Sequence, residues 1–63
     1  MTLAYRNLSN IAAVRERLGD FNVAANYWKS ASANARGGNL DWANNRAEFC
    51  QKMAKQQAAQ QNL

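Results

Sequence analysis

The chain has 63 residues, eight Lys and Arg against four Asp and Glu, no histidine, no proline and one cysteine. That length admits one domain and a marginal core. A single cysteine excludes an internal disulfide. Without histidine, and with so few acids, neither a metal site nor a cofactor is expected, and a protein partner or a second copy becomes the expected reinforcement.

The absence of proline, three glycines and an abundance of alanine, asparagine and glutamine predict an all-α domain spanning 1–63. The first helix is predicted over about 2–18. Thr2 is its expected N-cap, and Leu3, Leu8, Ile11, Val14 and Leu18 form its apolar stripe. Arg6, Ser9, Glu16 and Arg17 are placed on the opposite side, and Gly19 ends the helix.

A tight turn leads to the second helix, predicted over 21–36 with Asp20 as cap. Phe21, Ala24, Ala25, Trp28, Ala31 and Ala35 share one face, where small residues let helices approach around one large indole. Gly37-Gly38 breaks it. The third helix is predicted over 40–58 with Asn39 as cap and Trp42, Phe49, Cys50 and Met53 as its stripe. Residues 59–63 are expected to fray for want of a second apolar face. The two indoles, Trp28 and Trp42, are read as facing each other across the Gly-Gly turn. The expected core is Ile11, Leu18, Phe21, Trp28, Trp42, Phe49 and Cys50.

No grouping of catalytic type is visible. No carboxylates are spaced to share a proton, Gly37-Gly38 lacks the lysine of a phosphate loop, and Cys50 falls on an apolar stripe where a thiol acts as a small hydrophobe. The chain is read as a non-enzyme. No apolar run reaches the roughly 20 residues of a membrane span, no leader is recognised, and a cytoplasmic location is expected. The net charge of +4 invites a nucleic-acid reading, but the bases are scattered and Glu48 interrupts the outer face of the third helix. Direct DNA binding is therefore the weaker alternative, beside a structural or adaptor module.

Gly19-Asp20-Phe21, Ala24, Tyr27-Trp28 and Ala31 resemble the second half of a tetratricopeptide repeat. The resemblance implies an antiparallel hairpin plus a third, longer helix. A second resemblance is carried by Tyr27-Trp28, Ala31, Ala35 and Asn39-x-x-Trp42-x-x-x-Arg46-x-x-Phe49-Cys50, a span of about 24 residues. These residues are similar to the signature of the ANR family, small bacterial negative regulators of AraC/XylS-type transcription activators. The resemblance implies a regulator that binds such an activator, interferes with its self-association and lowers its hold on DNA.

Surplus apolar surface on the first and third helices is read as a partner and homodimer surface. Tyr5, Leu8 and Met53 are expected there, with Arg6 and Arg17 at its rim. Arg46 is expected either to meet Glu16, Asp20 or a helix carboxyl end while its stem packs on Trp42, or to contact a partner's carboxylate.

Overall fold

A computed structural model describes residues 1–61. Among them are three helices and no strand: α1 (Leu3–Arg17), α2 (Phe21–Ala33) and α3 (Gly38–Gln61). The all-α, three-helix expectation is met.

Each boundary has a local cause. Thr2 accepts a hydrogen bond from the Tyr5 amide at 3.0 Å, which satisfies a free donor at the start of α1. At its end, the Gly19 amide donates to the Glu16 carbonyl and the Asp20 amide to the Arg15 carbonyl, both at 2.9 Å. Gly19 takes φ +77°, so this is a Schellman stop that only glycine adopts without strain. Asp20 occupies the cap position of α2 but makes no capping bond with its side chain.

The second helix stops at Ala33, three residues before the predicted end at Arg36. The Asn34 side-chain amide donates to the Ser30 carbonyl at 2.9 Å, and the Thr2 hydroxyl donates to the Asn34 carbonyl at 3.1 Å. These bonds satisfy two of the carbonyls at the end of α2 before the Gly-Gly pair is reached. Gly37 then turns with φ +59°, and Gly38 is already the first residue of α3. Asn39 therefore sits in the first turn rather than capping it.

The expected fraying from residue 59 is corrected for residues 59–61, which are helical; Asn62 and Leu63 lie outside the described residues. An anchor close to the expected end is polar, and so escaped an apolar reading. The Gln57 side-chain amide donates to the Gly19 carbonyl at 3.0 Å, fastening α3 to the turn between α1 and α2.

The Thr2–Asn34 bond and the Gln57–Gly19 bond fix the topology. The start of α1 meets the end of α2, and the far part of α3 meets the start of α2. Thus α1 and α2 are antiparallel, α2 and α3 are antiparallel, and α2 packs against both neighbours.

The core is built from small residues: Ala12 of α1, Ala24, Ala25 and Ala31 of α2, and Ala43, Ala47 and Cys50 of α3, closed by Tyr5 and Trp28. Alanine faces bring helix backbones close together, which leaves no room for branched side chains between them. Ile11 and Leu18, expected in the core, are exposed for this reason, and so is Val14 of the same stripe. Trp42 and Phe49, expected in the core, are 54% and 40% exposed. Phe21 is half-buried, and its ring meets the edge of Phe49 with centroids 6.3 Å apart.

Candidate functional site

One carboxylate holds the three helices together. Glu16 of α1 accepts from the Trp28 indole at 2.6 Å, from Arg46 Nε at 3.0 Å and from the Cys50 thiol at 3.2 Å, all on Oε1. Its Oε2 accepts from Arg46 Nη2 and completes a two-pronged ion pair. Trp28 belongs to α2, and Arg46 and Cys50 to α3, so every helix contributes to this knot.

Its electrostatics follow from the packing. Burial pushes the Glu16 carboxyl up, but hydrogen bonds from Arg46, Cys50 and Trp28 outweigh it, and the net shift is downward. The hydrogen bond to Glu16 raises Arg46, which stays charged. Burial, then the hydrogen bond to Glu16, pushes the Cys50 thiol up to about 12. A thiol held in its neutral form is a poor nucleophile.

Arg46 links the knot to the surface. Its guanidinium lies 4.4 Å from the centre of the Phe49 ring and 5.7 Å from that of Trp42. Trp42, Arg46 and Phe49 fall at i, i+4 and i+7 and form one edge of α3, with Met53 one turn further on. The adjacent stripe, Ala43, Ala47 and Cys50, faces inward. The two stripes differ by one residue, or 100° of rotation.

The remaining expected residues divide between inside and outside. Tyr5, expected at a partner surface, is instead 4% exposed and part of the core. It sits with Ala12 and Glu16 on the inward face of α1, at i, i+7 and i+11. Leu8 and Met53 are half-buried, and Leu8 packs against the core. Arg6 and Arg17 are exposed. Arg46 is paired with Glu16, one of its expected partners.

Glu16 was placed on the outer side of α1 by the sequence reading, and its role as hub was missed. A signal was present. The alanines of α2 mark a close helix contact, and in α1 the Ala12-Ala13 pair is the matching small-residue site. Ala12 is the one that faces inward, together with Tyr5 and Glu16.

No family model matches the chain, and no solved structure matches it. The chain is 37% identical over 49 residues to an uncharacterized protein of the Mu-like prophage FluMu region of Haemophilus influenzae, covering 78% of this chain and 67% of that protein. The chain belongs to the family of that prophage protein. No helix among the described residues is long and apolar enough to cross a membrane.

Proposed function

We propose that the chain is a non-enzymatic transcription regulator of the ANR type that binds an AraC/XylS-type activator in the bacterial cytoplasm and blocks its dimerisation and DNA binding. The observation that carries this reading is the edge Trp42–Arg46–Phe49. These three residues belong to the motif behind the ANR resemblance. Two of them are large aromatics left open to solvent, while the core is completed without them. Exposed tryptophan and arginine side by side are the residue types that dominate protein-binding energetics.

Arg46 keeps the edge rigid. Glu16 fixes the guanidinium from below and the two rings flank it, so little side-chain freedom remains to be lost on binding. The prophage setting of the Haemophilus relative suits a small regulator acting on a host activator.

The test uses a purified AraC/XylS-type activator from the same bacterium. Adding the full chain is expected to convert activator dimers to monomers in sedimentation equilibrium and to release its promoter fragment. Trp42→Ala and Phe49→Ala are expected to keep the fold and lose both effects. An unchanged activator dimer in the presence of excess protein overturns the reading.

A further inference from the structure

The outer face of α1 carries a second apolar strip, on a different helix from the Trp42 edge. Ile11, Val14 and Leu18 fall at i, i+3 and i+7, the a, d and a positions of a heptad, with Ala4 and Asn7 continuing the series toward the N-terminus. All three aliphatics are exposed, Leu18 at 68%. Together with Asn10 and Arg15 they line an open depression of about 380 Å³. The core does not need them, because Tyr5, Ala12 and Glu16 occupy the inward face of the same helix.

The flanks of this strip are basic. Arg15 and Arg17 take the e and g positions, and Arg6 lies one turn behind Asn10 on the Arg17 side. The only acid within α1 is Glu16, which points inward and is spent on Arg46, Trp28 and Cys50. Asp20, just past the helix end, stands 3.9 Å from Arg15, and both side chains are a little under half exposed, so the pairing is weak. From these observations we infer that the outer face of α1 is a docking surface for an acidic amphipathic helix of another protein.

Charge decides among the occupants. A second copy brings two further arginines to a seam that already has two, with little acid to separate them; like charges at these positions select against self-pairing. A helix with leucine or isoleucine at a and d and glutamate at e and g covers the three aliphatics and answers both arginines. A bilayer surface lacks an aromatic anchor here, because Tyr5, the one aromatic of α1, is turned into the core.

The probe is a synthetic helix of about three heptads, with leucine at a and d and glutamate at e and g, and a twin with lysine at e and g. Fluorescence anisotropy with the full chain is expected to show the acidic helix binding at least about tenfold tighter than its twin, with the preference shrinking as salt is raised. Val14→Asp is expected to abolish binding with unchanged helicity, since Val14 is exposed. Arg15→Glu together with Arg17→Glu is expected to transfer the preference to the lysine twin. Three results overturn the inference: equal or absent binding of both helices; a dimer of the native chain that Val14→Asp dissolves, which gives the seam to a second copy; or adsorption to phosphatidylglycerol vesicles that displaces the acidic helix.

Discussion

Trp28 and Trp42 are the same side chain in two opposite situations. Trp28 is 4% exposed, sits among alanines and donates its indole N–H to Glu16 at 2.6 Å. Trp42 is more than half exposed and rests beside a guanidinium. One indole is a wall of the core; the other is surface that the core does not use. The difference comes from one residue of register on α3. Ala43 and Ala47 take the contact with α2, and the preceding position, Trp42, is carried to the edge. Apolar mass alone therefore does not say which residues hold a small helical domain together. In this chain the core is built mainly of alanines, and several of the largest apolar residues lie outside it.

The widest separation between the two indoles is expected in stability. Trp28→Ala removes a buried aromatic and leaves Glu16 short of a donor, so a loss of about 3–5 kcal/mol is expected. That is comparable to the whole stability of a domain this small, about 5 kcal/mol at the low end of the native range. Urea titration followed by circular dichroism reads it directly. A Trp28→Ala variant with the parent's midpoint breaks the comparison.

The next effect acts on the knot itself. Glu16→Ala strands Arg46, Trp28 and Cys50 together. The ion pair is half-buried, so the loss is expected to stay below the roughly 3–5 kcal/mol of a fully buried pair broken from one side. Glu16→Gln keeps the shape but loses the charge that Arg46 needs, so it is expected to fall between Ala and the parent in the same titration.

The knot also sets a pH window. The Glu16 carboxyl titrates below its ordinary value of 4.5 in the folded chain. Its contribution is therefore complete above that value and is lost as the pH falls below it, because the unfolded chain binds the proton first. Cys50 acts at the other end. Its thiol is pushed from 9.0 to about 12, so it contributes stability below pH 9.0 that is lost as the pH rises toward 12. Melting temperatures across pH are expected to fall on both sides, and Glu16→Gln is expected to flatten the acid limb. The raised thiol also predicts that iodoacetamide labels Cys50 only in the unfolded chain; labelling of the native chain at neutral pH contradicts it.

The three helices, the Thr2 cap and the Gly19 stop were legible because each rests on local chemistry: spacing, a hydroxyl, a glycine. The second break differs in detail, since α2 stops at Ala33 and Gly38 already belongs to α3. The core of α2 was legible for a related reason, since its alanines were read as a close-contact face. The inward faces of α1 and α3 differ from the predicted ones because the largest apolar side chains of these helices do not mark the inside. Leu3, Ile11, Val14 and Leu18 look like a core stripe, yet Tyr5, Ala12 and Glu16 turn inward. Glu16 is the harder case. A carboxylate is assigned to solvent unless its donors are known, and those donors lie 12, 30 and 34 residues away in sequence. The Arg46 pairing was half-visible because an arginine within an apolar stripe needs an acid nearby. Gln57 carried no such signal, since an amide in a glutamine-rich stretch does not announce which carbonyl it will reach.

The smallest expected stability effect closes the comparison. Trp42→Ala removes a ring that is mostly in water and one of two aromatic neighbours of Arg46. Phe49 remains at 4.4 Å, the closer of the two, and the Glu16 pair is untouched. The loss is expected to comprise a surface cation–π contact of about 0.5–1 kcal/mol and the burial of the covered part of the ring, and so to be smaller than for Trp28→Ala. The two indoles are separable in the native chain as well. Acrylamide is expected to quench the fluorescence of Trp42, seen alone in a Trp28→Phe variant, and to spare that of Trp28, seen alone in Trp42→Ala. If Trp42→Ala instead unfolds the chain, the edge is part of the fold, and its exposed rings cease to support a binding role. If the fold persists, any loss of activator binding in that variant belongs to the surface, because the core has been left as it was.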